Sequence, residues 1–304
     1  MSSDRFVPEG VELKTLLEEV RKLSWAASEV LMAYARGQEP PYGFPKSLTV
    51  EEGGDGPVSA ADMAVNELLI SGLKNNLTYK DWDILSEETF KEQTFQGFNY
   101  QQEWCWVLDP LDGTKDFLQG SENYAVHIAL THKQKPKIGI VLIPEKNELW
   151  IGIIGCGAWC ETRDGQKKHI SFSERLEISE LILVSSKNHQ QSRLLNLLSS
   201  LRFAETKRIG SVGCKIASIL RGESDVYISL SGQTSPKDWD MAAPHALIEA
   251  AGGVFSHADG SDLTYQNSTC SQSGCLIASH GKSHQDICQK AMEFFSIELP
   301  EYIV

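Results

Sequence analysis

The run Trp104-Cys105-Trp106-Val107-Leu108 leads without a break into Asp109-Pro110-Leu111-Asp112-Gly113-Thr114. Five bulky apolar residues in succession read as a buried strand, so the fold has to cover that strand while bringing two carboxylates, three residues apart, to its end. Pro110 fixes φ and removes a backbone donor, and Gly113 opens a conformation closed to other residues. The turn is stiff and its oxygens converge. Hard divalent cations want such a set: Mg²⁺ takes oxygen ligands in near-octahedral geometry, and the Leu111 carbonyl can join the two carboxylates.

The rest of the chain supplies layers for that strand. Apolar residues at spacings of three and four predict a long amphipathic helix over Val11–Arg36 and another over Ala60–Leu73, separated by a Pro- and Gly-rich loop from Gln38 to Gly56. Trp82-Asp83-Ile84-Leu85 reads as a second buried strand, followed by Glu87-Glu88. Strand-like runs at Tyr124–Thr131, Ile138–Ile143 and Leu149–Ile154 predict an antiparallel meander. From Leu181 onward, strand and helix alternate, with helices expected over Gln190–Leu201 and Asp240–Ala251. The expected organisation is therefore an α+β half over residues 1–170, carrying most of the candidate ligands, and an α/β half over 171–304.

Charge narrows the partners. With 28 Lys+Arg against 41 Asp+Glu the net charge is −13, which argues against nucleic-acid binding because a phosphate backbone demands a basic footprint. No apolar run approaches the roughly 20 residues of a membrane span, and Met1–Arg5 begins no export signal, so a cytoplasmic protein without membrane partners is expected. The seven cysteines are then read as reduced thiols. Cys270, Cys275, His280 and His284 have the order of a zinc site but the wrong spacing, and Gly155–Cys160 is read as a turn. There is no Gly-x-x-x-x-Gly-Lys-Ser/Thr phosphate-binding loop and no nucleophile elbow, so no covalent intermediate is expected.

Glu87-Glu88 and Asp240, the latter at the expected start of a helix, complete the carboxylate count of a two-metal site. Paired Mg²⁺ ions serve phosphate ester hydrolysis, and Thr114 follows the ligands closely enough for its hydroxyl to relay a proton to a carboxylate at Asp62 or Asp55.

At these residues the chain resembles the lithium-sensitive, magnesium-dependent phosphatase superfamily that includes inositol monophosphatase, fructose-1,6-bisphosphatase and the 3′(2′),5′-bisphosphate nucleotidases. Three motifs carry the resemblance: Gly56–Asp62 with Leu85–Glu88, Asp109–Thr114, and Trp239-Asp240 opening Met241–Pro244. The resemblance implies a layered αβαβα sandwich, monomeric or homodimeric, with two or three Mg²⁺ ions and a small phosphorylated substrate. By it, Glu87, Asp109 and the Leu111 carbonyl would hold one ion, and Asp109, Asp112 and Asp240 the next, with Thr114 working with Asp55 or Asp62. Lys115-Asp116-Phe117, Val184–His189 and Arg208–Lys215 resemble the nucleotidase branch, which makes Gly113, Ser186, His189, Ser211, Lys215 and Asp240 candidates for substrate contact. Gly210–Gly213 and Lys215 would offer backbone donors and an ammonium to a second phosphate. The implied reaction is hydrolysis of adenosine 3′,5′-bisphosphate, with its sulfated relative as a further substrate, by in-line attack of an activated water. An inositol or sugar phosphatase on the same metals, or a binding protein that senses phosphorylated metabolites, is the alternative.

Overall fold

The helical spacing between Leu13 and Tyr34 forms one helix, α1 (Leu13–Ala35), whose buried stripe runs from Leu16 through Val20, Leu23, Ala27 and Leu31. The structure, a computed structural model, describes residues 6–53, 56–77, 79, 81–92, 98–187, 192–231 and 235–298. The segment read as a loop before the second helix contains a two-stranded hairpin, β1 (Val50–Gly53) with β2 (Gly56–Ser59). Its closing glycines mask strand pairing in the sequence. Helix α2 (Ala60–Asn76) follows at once.

Seven strands form the first large sheet, in chain order across its width: β3 (Asp83–Ser86), β4 (Trp104–Asp112), β5 (Ala125–His132), β6 (Lys135–Ile143), β7 (Glu148–Ile153), β8 (Gly157–Glu161) and β9 (Lys167–Lys168). The β3–β4 pair is parallel and every later pair antiparallel, so the expected meander holds from β5 onward. Two short helices interrupt the early strands, α3 (Glu87–Glu92) after β3 and α4 (Thr114–Leu118) after β4. The stretch Gly155–Cys160, read as a turn, is a turn only at its start and then becomes β8.

The second sheet has five strands in the order β11 (Glu205–Ile209), β10 (Ile182–Ser186), β12 (Val226–Leu230), β14 (Cys275–Ser279), β13 (Val254–His257). Strands β10, β11 and β12 are parallel, as their intervening helices α5 (Ser192–Leu201) and α6 (Val212–Leu220) require, whereas β14 runs antiparallel to both neighbours. Helices α7 (Asp238–Ala250) and α8 (His284–Glu298) complete the fold.

Three apolar cores separate five layers. One lies between α1–α2 and the first sheet, with Leu69, Trp106, Ile128 and Leu142. The second lies where α6 and α7 are clasped between the two sheets, with Val107, Trp150, Ile216, Ala243, Tyr227 and Ala278. The third joins the outer face of the second sheet to α5 and α8 through Leu183, Ile228, Leu197 and Phe295. The result is the expected αβαβα sandwich. None of the described helices is long and apolar enough to cross a membrane.

Helix α7 lies unusually close on the first sheet because two facing strand positions lack side chains. A Cβ on Gly139 would stand 2.3 Å from the Ala243 carbonyl oxygen, and one on Gly152 2.7 Å from Leu247 Cα. The close approach fixes the start of α7, and with it Asp240, over the sheet's interior. Gly139→Val is expected to lower stability by about 1–3 kcal/mol through overpacking, read as a fall in the denaturant midpoint. An unchanged midpoint would show that α7 is not pinned there.

Candidate metal and phosphate site

Strand β4 does not end before the acidic turn. It continues to Asp112, with its pairing to β5 shifted in register between Asp109 and Asp112, so Pro110 and Leu111 form a bulge that turns both carboxylates toward one place. Asp109 Oδ1 accepts from the Leu111 amide at 3.0 Å. Gly113 follows in the left-handed region at φ 94°, where a Cβ would also stand 2.9 Å from the Asn123 carbonyl oxygen, and α4 opens at Thr114. The glycine thus serves the backbone at this turn.

Two helix starts deliver the remaining pieces. Asp112 Oδ2 caps α6, accepting from the Ser211 hydroxyl at 2.7 Å, the Val212 amide at 2.5 Å and the Gly213 amide at 3.3 Å, where the helix dipole favours negative charge. Asp240 lies in the first turn of α7 and its Oδ2 accepts from the Lys237 amide at 2.6 Å. One carboxylate oxygen from each of Asp109, Asp112 and Asp240 lies within 4.8 Å of the other two. Each aspartate therefore has one oxygen held by a backbone donor and contributes to a single cluster.

Glu87 stands at the head of α3, directly after β3, and pairs with Lys91 at 2.8 Å. Its charge still reaches the cluster. Burial, followed by Glu87, Asp112 and Asp240, pushes the Asp109 carboxyl well above its ordinary range. Burial, then Asp112 and Glu87, does the same to Asp240. Of the nearby ammonium groups, Lys91 is taken by Glu87 and Glu88, and buried Lys215 donates to the Gly210 carbonyl. An all-oxygen set of clustered carboxylates, in which burial and neighbouring negative charge raise Asp109 and Asp240, fits a hard divalent cation.

Next to the cluster, the Thr114 hydroxyl lies 3.1 Å from both Asp62 Oδ1 and the Leu111 carbonyl oxygen. Asp62 belongs to the first turn of α2 and its other oxygen is held by Ser59, whose amide (2.7 Å) and hydroxyl (2.6 Å) both donate to Oδ2. Burial is the largest influence on Asp62 and pushes it up to about 6 against the Ser59 bonds. Asp55, the other partner considered for Thr114, lies outside the described residues, as does His189.

The substrate candidates divide. Ser211 is the N-cap of α6 and is spent on Asp112 and the Cys214 amide. Ser186 ends β10, paired in register with Ile209, two residues before Ser211. The backbone donors expected from Gly210–Gly213 are turned inward, since Val212 and Gly213 bond Asp112, and the Lys215 ammonium is buried on the Gly210 carbonyl. These groups organise the site's wall. Two residues near the cluster were not singled out from the sequence: Ser59, visible only as a serine three residues before an aspartate at a helix start, and His127, a polar residue set between Val126 and Ile128 in the buried strand β5.

The comparisons with known proteins follow the same lines. Over 252 residues, 82% of this chain and 94% of the relative, the sequence is 31% identical to the 3′(2′),5′-bisphosphate nucleotidase CysQ of Escherichia coli (strain K12). It is 28% identical over 231 residues, 74% of this chain and 77% of the relative, to the Nus factor SuhB of Xylella fastidiosa. Among solved structures, the Thermotoga maritima IMPase superposes with a TM-score of 0.71 at 20% identity, over 93% of this chain and 98% of that one. The inositol monophosphatase from Anabaena gives 0.69 at 23% identity, over 93% and 97%. The inositol monophosphatase family model matches residues 12–294, and with the layered fold and the carboxylate cluster already in hand, the chain belongs to the inositol monophosphatase family.

Proposed function

We propose that this protein is a Mg²⁺-dependent phosphomonoesterase that removes the 3′-phosphate of adenosine 3′,5′-bisphosphate, leaving AMP and phosphate, and that also accepts the sulfated relative of that nucleotide. The observation that carries the reading is the cluster of Asp109, Asp112 and Asp240 with Glu87 beside it and the Thr114–Asp62 hydrogen bond alongside. The nucleotide substrate is supported by the likeness to the Escherichia coli bisphosphate nucleotidase, which extends over most of both chains.

Glu87, Asp109, Asp112, Asp240 and the Leu111 carbonyl would hold two or three ions. Bound there, Mg²⁺ supplies charge neutralisation for phosphate oxygens and lowers the pKa of water. The protein's own part is to orient and to move a proton. With its hydroxyl proton directed to Asp62 Oδ1, Thr114 leaves oxygen lone pairs to accept from an attacking water, so the hydroxyl couples that water to a buried carboxylate. Ser59 keeps Asp62 aimed at Thr114 by occupying its second oxygen. Ser186 and His189 are the candidates for contact with the rest of the nucleotide. Lys215 supports them by holding the Gly210 carbonyl and hence the turn before Ser211.

The solved inositol monophosphatases of like fold favour a second reading, an inositol phosphate as the preferred ester. Phosphate release from adenosine 3′,5′-bisphosphate and from inositol 1-phosphate, measured side by side with Mg²⁺ and with chelator, separates the two. Faster release from the nucleotide, abolished by chelator, is expected. Faster release from the inositol ester would retain the metal chemistry and replace the substrate, and release from neither would overturn the proposal. Asp109→Asn and Asp240→Asn should each abolish turnover while the circular-dichroism spectrum stays native; retained activity would remove that residue from the site. Thr114→Ala should lower kcat about 10²-fold, and an unchanged kcat would deny the hydroxyl its relay.

A further inference from the structure

His127 lies in β5 between Val126 and Ile128, and no side-chain atom of it reaches solvent. Its Nε2 lies 3.2 Å from Asp112 Oδ2, a close approach whose geometry makes no hydrogen bond. On the other edge of the ring, Nδ1 is 3.3 Å from the carbonyl oxygen of Trp239, the residue before Asp240. One imidazole thus spans the two stretches of chain, 128 positions apart, that supply Asp112 and Asp240 to the cluster. The space for it is reserved by a third element, because a Cβ on Gly213, in the first turn of α6, would stand 2.3 Å from His127 Nε2. Gly213 also donates to Asp112 through its amide.

We infer that His127 is a positioning residue: the ring seated between Asp112 Oδ2 and the Trp239 carbonyl sets the separation of Asp112 and Asp240 and thereby the site's affinity for a divalent cation. The inference rests on the metal reading given above. A buried strand needs no histidine for packing, and an apolar residue of similar volume would avoid placing ring nitrogens in a dry core. The ring is held instead where a strand, the bulge of β4, the head of α6 and the head of α7 meet. Groups that orient metal ligands from behind typically change metal affinity by about 10–100-fold when removed.

The two contacts can be separated by substitution, since asparagine places an amide near the position of Nδ1 and glutamine near that of Nε2. Mn²⁺ binding to the whole chain, without substrate, is measured by titration calorimetry for the wild type and for His127→Ala, His127→Asn and His127→Gln. Phosphate release is followed in parallel over a range of Mn²⁺ concentrations. The expected result is a 10–100-fold loss of Mn²⁺ affinity in His127→Ala and partial recovery in His127→Asn or His127→Gln. The Mn²⁺ concentration for half-maximal activity should rise by the same factor, and the rate at saturating Mn²⁺ should change far less. If His127→Ala does not fold, the asparagine and glutamine variants, each keeping one contact, carry the test. Folded variants that bind Mn²⁺ like the wild type would overturn the inference while leaving the metal site in place. A wild-type protein that takes up no Mn²⁺ would overturn the metal reading and this inference together.

Discussion

Burying negative charge against negative charge is the constraint around which this fold is arranged. Asp109 and Asp240 are pushed far above the ordinary carboxylate range, first by burial and then by one another's neighbours. At interior separations of a few ångströms, like charges cost several kcal/mol even at an effective dielectric near 20. Nothing in local structure recommends such a cluster. It persists because each member is fixed by the backbone: Asp109 by the Leu111 amide, Asp112 by the head of α6, Asp240 by the Lys237 amide. The residual cost is what a divalent cation would relieve, so the same repulsion that weakens the bare fold is available to bind metal.

The layers explain how residues from opposite ends of the chain arrive together. Helix α7 is clasped between the sheets and pressed onto β6 and β7 at Gly139 and Gly152, which sets the depth of Asp240. Helix α6 lies in the same layer, and its N-terminus points at Asp112 across the bulge in β4. The second sheet therefore need not supply the clustered aspartates from its own strands. Its work is to hold α6 and α7 from behind, and a half-buried ion pair near the crossover, Arg175 with Asp225, secures the incoming chain to it.

Much of this was legible in sequence where the signal was local. The helical spacing of α1, the apolar run of β4 and the Asp-Pro-Leu-Asp-Gly-Thr turn each declare themselves within a few residues. The hairpin β1–β2 did not, because strands of four residues ending in glycine have composition like that of a loop. Nor did the bulge, since whether a strand ends at Asp109 or resumes at Asp112 is decided by Ala125 across the ladder. The proposed substrate side was least legible. Ser211 and Lys215 are residue types suited to phosphate, but whether they face a ligand or their own backbone depends on tertiary packing, and here they hold Asp112 and the Gly210 carbonyl. His127 follows the same logic in reverse, as a residue whose place looks apolar in sequence and gains its meaning from partners 15 positions before it and 112 after it.

The fate of the α6 N-terminus bears on how an acidic protein could hold an anion. A helix N-terminus with a serine cap and two free amides is a ready phosphate site. In this chain those donors are already taken by Asp112, so the helix end is filled by a carboxylate of the protein's own. The Lys215 ammonium, the other cationic resource of that wall, is buried on a carbonyl. With both withdrawn and the net charge at −13, the protein surface alone offers phosphate little attraction there. On the proposed reading, recognition of the reacting phosphate would fall to a cation held by the carboxylates, which would couple binding and chemistry to one occupant and make substrate affinity a function of metal occupancy.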